Sequence, residues 1–323
     1  MSDATVSAEN ECQATIITDA KTPFDNPDAE LIIRSSDNVD FRVFKSFLSV
    51  VSSVFKDMFA LPQGPAGITD QEMRDGLPVI QITEESRIVE TLLRFCFPNI
   101  LTSIPVLKTM DEMLPMLEVS IKYGIGILEN RMRETLFSPP VVKEGAMKLF
   151  VIAYQHGWEK EMRVAARYTL YQPVWERLYV VELESITGGD LHRLQQYRLS
   201  CRTAAIQVAT TFDWMPFSVP WWLECLSCGD TTKQIIFSRY HGEYKPSGWW
   251  VRYVEAAAEE LAKRPFGDTV LKPELVKGAL QQANSCQSCS QRKEIDVRFK
   301  EFCRMFAAEI ERVVSKVALE VKL

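Results

Sequence analysis

The chain has 323 residues, 46% of them hydrophobic, which is enough apolar surface for two cores or for one core with helical extensions. Its 43 acidic and 37 basic residues leave a formal net charge of −6 with the signs interspersed, so no broad basic field suits a phosphate backbone, and nucleic-acid binding is not expected. The opening 24 residues carry acids where a signal peptide needs bases, and no stretch approaches the ~20 apolar residues of a membrane span.

Residues 1–23 read as a disordered tail, although "ATII" could add to a sheet edge. "DAELIIR" (28–34) and "VDFRVF" (39–44) read as two strands of a hairpin around the turn-forming "SSDN". From Ser46 the alternation gives way to helical spacing, with Phe47, Leu48, Val51, Val54, Phe55, Met58 and Phe59 on one stripe, so one helix is expected from Ser46 to Ala60. Val50 lies off that stripe and widens it, giving the helix more apolar surface than one core requires. "LPQGPAGITDQEMRDGLP" reads as a loop and "LPVIQIT" as a third strand.

"EESRIVETLLRFCFP", "TMDEMLPMLEVSIKYG" and "ILENRMRETLF" return to helical spacing, with Gly124 and Gly126 at the last break. The paired prolines of "SPPVV" (138–142) mark a boundary. Beyond it the pattern is helical, apart from the tryptophan-rich "WWLECLSCGD". The last run places Ile295, Phe299, Phe302, Phe306, Ile310, Val313 and Val317 on one face of a long helix. The expected class is α+β: a mixed domain with three or so strands, then an all-α region.

The stretch "FDNPDAELIIRSSDNVDFRVFKSFLSVVSSVFKDMFALPQ" resembles the opening of a BTB/POZ domain. It has the Asp before a strand, the Ser-Asp turn, a Phe-x-x-x-Lys hairpin strand and a Leu…Ser-x-x-Phe-x-x-Met-Phe helix. "GLPVIQITEES" with "ETLLRFCFP", and "LEVSIKYG" with its following helix, are similar to later parts of that domain. The resemblance covers residues 24–137 and implies the BTB/POZ fold, a three-stranded sheet with helices. Residues 141–323, with "MKLFVIAYQHGWEKEMRVAARYTL", resemble the BACK-like helical extension that follows some such domains. The overall layout, including "MFALPQ" and both cysteine pairs, resembles fungal proteins that carry one N-terminal BTB domain. Phe44 stands where that family often has His, so pocket chemistry that depends on an imidazole is not expected.

BTB domains commonly homodimerise through their first helix, so the resemblance implies a homodimer interface of Phe47, Val50, Val51 and Val54. The alternative is that this helix is buried on both sides within its own domain. Asp28 and Lys45 match positions that form a charged pair in the dimer groove of BTB transcription regulators; the bland reading is two solvated strand-end charges.

Two C-x-x-C pairs, Cys225–Cys228 and Cys286–Cys289, supply four thiolates, enough for a closed tetrahedral Zn²⁺ site. The 57 residues between them exceed the ~15–20 of a compact ribbon, so the metal would staple distant segments together. Free thiols, or a redox or disulfide pair, are the competing readings. His241 could replace one ligand. Cys96, Cys201 and Cys303 fall within helical stripes and read as core. Trp214, Trp221, Trp222, Trp249 and Trp250 read as the core of a helical domain, with a partner pocket as the alternative.

The three histidines, His156, His192 and His241, lie in separate segments, and no hydrolase, zincin or P-loop motif occurs, so no enzyme activity is expected. The leading functional expectation is a protein–protein interaction module that self-associates. The alternatives are a substrate adaptor for a cullin-type ubiquitin ligase and a transcription regulator. The adaptor reading lacks a recognisable Kelch or MATH region, and the regulator reading lacks a C₂H₂ finger. The expected location is intracellular, in cytoplasm or nucleus.

Overall fold

The computed structural model describes residues 16–61, 72–98, 102–172, 179–212, 214–215, 221–229 and 246–321. The fold is α+β and divides into two units, residues 1–141 and 142–323, close to the boundary expected at the paired prolines. Those prolines open a short helix rather than prevent one. Pro139 and Pro140 occupy its first two positions, where a missing N–H leaves no bond unmade.

The first unit carries a five-stranded sheet: β1 (Thr18–Asp19), β2 (Leu31–Arg34), β3 (Val39–Val43), β4 (Met73–Arg74) and β5 (Leu77–Gln81), in the order β1-β3-β2-β5-β4. β2 and β3 form the expected antiparallel hairpin, with Ile33 opposite Phe41, and β5 joins β2 in parallel. β2 is buried along its whole length, which is why it reads as an unbroken apolar run and not as an alternation. Two strands lie outside those read as strands, although β1 directly follows the "ATII" read as a possible addition to a sheet edge. β1 pairs in parallel with β3 and lies inside the segment read as a tail, while β4 turns into β5 through Asp75 and Gly76, both at positive φ. At two residues each, neither is long enough to show a period. Residues 1–15 lie outside the described residues.

The helix expected from Ser46 to Ala60 is two helices, α1 (Lys45–Val51) and α2 (Ser53–Ala60). Ser52 breaks it in an extended conformation (φ −121°, ψ 121°). Its buried hydroxyl accepts from the Phe55 N–H at 3.0 Å and donates to the Tyr123 carbonyl at 2.6 Å, so one side chain caps α2 and ties it to a distant turn. α3 (Ser86–Cys96), α4 (Met110–Lys122) and α5 (Gly126–Leu136) complete the unit. Gly124, at φ +63°, turns α4 into α5; a Cβ there would lie 2.2 Å from Ser53 Oγ.

A buried ion cluster holds the sheet edge. Arg34 on β2 donates two hydrogen bonds to Asp40 on β3, at 2.6 and 2.9 Å, and a third to Glu72. Arg74 on β4 also donates to Asp40 and reaches Asp19 on β1 at 3.0 Å. The carboxylate of Asp40 is fully buried and the Arg34 side chain is 5% exposed.

In the second unit, α6 (Pro139–Glu144, shared with the boundary) precedes the pair α7 (Ala146–Gln155) and α8 (Glu159–Thr169), turned by Gly157 at φ +66°. α8 buries Ala165 and Ala166, the small residues that permit close approach. α9 (Gly188–Thr210) opens with a capping box, in which the Thr187 hydroxyl accepts from the Asp190 N–H and the Asp190 carboxylate accepts from the Thr187 N–H. α10 (Gly248–Lys263), α11 (Pro273–Ser285), α12 (Gln287–Ser290) and α13 (Ile295–Val314) follow.

α9 and α10 pack against each other, and α13 lies against α9. Their core is aromatic: Phe299, Phe302 and Phe306 of α13 meet Trp222, Trp249, Trp250, Trp214 and Tyr253. Trp222, Trp249 and Trp250 are buried and Trp214 half-buried, in keeping with the core reading. α13 is shorter than the sequence period implied. It ends at Val314, which is buried, and Val317 lies past its end.

Candidate metal centre

The first C-x-x-C pair sits on a turn pinned at both ends. Glu224 and Gly229 form isolated bridges with Pro246 and Ser247, and the turn residues between them carry Cys225 and Cys228. The Gly248 N–H donates to the Cys228 carbonyl at 2.8 Å, fixing the turn to the start of α10. The second pair sits where α11 ends and α12 begins. Cys286 has extended backbone geometry between the two helices, and one turn of α12 brings Cys289 to the same side.

The 57 intervening residues do not separate the pairs in space. All four sulfurs lie within 4.8 Å of one another. The knuckles meet position by position: Cys225 Sγ to Cys286 Sγ 3.8 Å, Ser227 Oγ to Ser288 Oγ 2.5 Å, and Cys228 Sγ to Cys289 Sγ 3.6 Å. A tetrahedron with metal–sulfur bonds of about 2.3 Å has edges of about 3.8 Å, so these spacings are compatible with a four-thiolate site. It is far from the roughly 2.05 Å of a disulfide, and all four thiols are free. Cys225 and Cys289 are buried and Cys228 and Cys286 half-buried, so a cation here would be shielded yet reachable.

The electrostatics point the same way. Burial pushes the Cys225 thiol up, but the backbone N–H groups of Cys228 and Ser227 and the neighbouring thiols of Cys289 and Cys228 outweigh it and hold that thiol down at about 6. Cys228 and Cys289 are pushed up, by burial first and by the neighbouring sulfurs second. Four thiolates packed this closely repel unless a cation sits among them, so metal uptake must displace protons. Cys96, Cys201 and Cys303 stand apart in buried positions, and burial raises each, to about 12, 11 and 11. They are core thiols, as their stripes indicated.

Gly248 is a residue that sequence reasoning missed. A Cβ at this position would lie 2.6 Å from the Cys228 carbonyl oxygen, closer than real Cβ atoms approach. Gly248→Ala is therefore expected to behave against helix propensity. Alanine normally stabilises a helix by up to about 1 kcal/mol over glycine, but here it should displace the knuckle and weaken metal binding roughly 10- to 100-fold. Titration of each protein with Zn²⁺ against a colorimetric chelator reads the shift. Equal affinities would show that the close approach does not hold the site.

The other expected site residues fare unevenly. On α1 and α2, Val50 is 86% exposed and Val54 is 38% exposed. Val51 is half-buried, and Phe47 is half-buried against Phe44 and Phe97, with ring centroids 5.4 and 5.2 Å away. The outward apolar surface is thus narrower than expected, with Phe47 serving its own core. Asp28 and Lys45 do not pair within the chain. Asp28 is exposed at a turn, its N–H donating to Asn26, while the Lys45 ammonium lies 5.8 Å from the Phe59 ring centroid and the Lys45 N–H donates to Glu30. The buried charge pairing of this unit is instead Arg34 and Arg74 with Asp40. His241 lies outside the described residues; His156 stacks on Trp158 and His192 is exposed. Among the described residues, no helix is long and apolar enough to cross a membrane.

No family model matches the chain, and no curated protein matches it.

Proposed function

We propose that the chain is a protein–protein interaction module, held in shape by one structural Zn²⁺ and self-associating through its N-terminal unit. The observation that carries the interaction reading is the exposure of Val50. α1 buries only Leu48, while Val50 stands 86% exposed, and Val54 on α2, beyond the Ser52 break, is 38% exposed. Residues 46–55 contain no charged side chain, so a second copy applied across a two-fold axis brings no like charges together. The occupant this favours is another copy of the chain, as the BTB/POZ resemblance implies. The exposed residues Val50 and Val54 would carry the contact, with Val51 and Phe47 supporting it from below.

Val50→Glu tests this with little cost to the fold, because the side chain is already in water. The wild-type chain is expected to sediment as a dimer at micromolar concentration, and the variant as a folded monomer with unchanged circular dichroism. A wild-type monomer at all concentrations, or a variant that still dimerises, would remove the self-association reading.

The metal reading rests on the sulfur geometry. Four cysteine ligands at tetrahedral spacing, with no ligand position left open, suit a structural and not a catalytic ion. Cys225, Cys228, Cys286 and Cys289 would hold it. The bound ion would supply cross-linking chemistry alone, joining the turn before α10 to the α11–α12 junction.

A further inference from the structure

We propose that the cysteine centre is also a peroxide-sensitive site, whose oxidation joins the two knuckles crosswise, Cys225 to Cys286 and Cys228 to Cys289, and releases the ion. The inference rests on the metal reading above for what is released, and on the sulfur geometry alone for which bonds form.

Three observations favour this pairing over bonds closed within each C-x-x-C. The sulfur contacts of 3.8 and 3.6 Å both run from one knuckle to the other, so each pair needs to close by under about 2 Å to reach a disulfide bond. The knuckles also lie in one register, at a constant offset of 61 residues: Cys225 meets Cys286, Ser227 meets Ser288 and Cys228 meets Cys289. The 2.5 Å hydrogen bond between the two serine hydroxyls holds each cysteine beside its counterpart. Ring size points the same way. A bond between residues 61 apart constrains the unfolded chain far more than one closed inside a single knuckle.

The exposure pattern supplies the order of events. Each crosswise pair has one half-buried member, Cys286 or Cys228, and one buried member, Cys225 or Cys289. The reachable thiolate attacks hydrogen peroxide: an S–O bond forms, the O–O bond breaks, and the released hydroxide takes a proton to become water. The buried thiolate of the same pair then attacks that sulfur. The S–S bond forms, the S–O bond breaks, and a second hydroxide leaves as water. Each pair gives up two electrons to one peroxide, so two peroxides convert four thiolates into two disulfides. The first bond already leaves only two thiolates, too few for a closed site, and Zn²⁺ departs with its charge unchanged. The turn before α10 and the α11–α12 junction thus stay joined, by metal when reduced and by covalent bonds when oxidised. Cys96, Cys201 and Cys303 are buried outside the cluster and stay reduced.

The test treats the zinc-loaded full chain with a small excess of hydrogen peroxide. A colorimetric chelator reads zinc release, and mass spectrometry of a non-reduced tryptic digest reads the bonds. Trypsin separates the knuckles into residues 203–233 and 278–292, each holding both cysteines of one C-x-x-C. The expected result is one zinc released per chain and the two peptides linked as one species. Cys228→Ser with Cys289→Ser leaves the facing pair Cys225 and Cys286. It should cross-link roughly 10-fold faster than Cys225→Ser with Cys289→Ser, which leaves Cys228 and Cys286, both reachable but diagonal. Bonds closed within each peptide, or sulfinic and sulfonic acids without linkage, would overturn the inference, as would a diagonal pair that links as fast as the facing one. The wild-type digest needs no variant, so it decides the pairing of knuckle to knuckle even where a variant folds poorly. A chain that takes up no zinc yet links the two peptides would overturn the metal reading and leave the crosswise pairing standing.

Discussion

Cys289→Ser, or removal of metal with a chelator, is expected to lower the stability of the second unit by at least about 4 kcal/mol. A ligand that binds only the folded state stabilises it by about 4 kcal/mol when its free concentration is a thousand times its dissociation constant. Structural zinc sites with four cysteines commonly exceed that ratio, with apparent binding free energies of roughly 10–16 kcal/mol in isolated peptides. The second unit retains a core without the metal, because Phe299, Phe302, Trp249 and Trp250 are fully buried. The change should therefore lower the melting temperature by roughly 8–16 °C rather than abolish folding. Hydrogen exchange should rise first around residues 221–229 and at the α11–α12 junction, the segments the metal joins. Cys201→Ala, at an equally buried thiol outside the cluster, should keep its metal. A melting temperature indifferent to both chelator and Cys289→Ser would show that the cluster is four free thiols.

Asp40→Ala is expected to cost about 3 kcal/mol, the largest effect of a single change in the first unit outside its apolar core. Removing one partner of a buried pair leaves the other charge unpaired, which typically costs about 3–5 kcal/mol. Arg34 is 4% exposed and would lose both bonds to Asp40, keeping only Glu72, whose side chain is half in water. Replacing Arg34 and Asp40 together by apolar residues of similar volume should cost less than Asp40→Ala alone, since no charge is then stranded. The same pair sets part of the acid sensitivity. Burial pushes the Asp40 carboxyl up, but the guanidinium groups of Arg34 and Arg74 outweigh it and hold it below its ordinary value. Its contribution is therefore present in full above about pH 4, the ordinary carboxylate range, and is lost as pH falls through the lower folded-state value. Urea midpoints for wild type and Asp40→Ala should differ at pH 7 and converge below pH 3. A gap that persists undiminished into acid would assign the stability to packing instead.

The features legible in the sequence and those hidden from it divide along physical lines. Period and composition located β2, β3, β5 and every long helix, because each buries one face or a whole run against a core. They could not show β1 or β4, whose two residues have no period, nor Ser52, whose break depends on a carbonyl 71 residues away. The wide apolar stripe of α1 and α2 hid the same limit. The BTB/POZ resemblance grouped Phe47 and Val50 as interface, and only the fold gives Phe47 to Phe97 and leaves Val50 outside. Nothing in the sequence singled out Arg34 and Asp40, because partners brought together by a sheet do not mark each other there.

The cysteine site was more legible than the rest, since each C-x-x-C announces a knuckle wherever it occurs. What sequence could not supply was the meeting of the two knuckles across 57 residues. Gly248, whose N–H holds the first knuckle, follows no metal-binding pattern. One signal was available: the "SGWW" stretch places a glycine where a helix begins, a position that helix propensity does not favour.

The measurement that bears most directly on these proposals is native mass spectrometry of the full-length chain, purified with Zn²⁺ present and sprayed before and after chelation. One zinc per chain, lost on chelation and absent from Cys289→Ser, is the expected result. A chain that stays metal-free when zinc is supplied, with all its cysteines still reduced, would contradict the metal centre on which the stability argument rests.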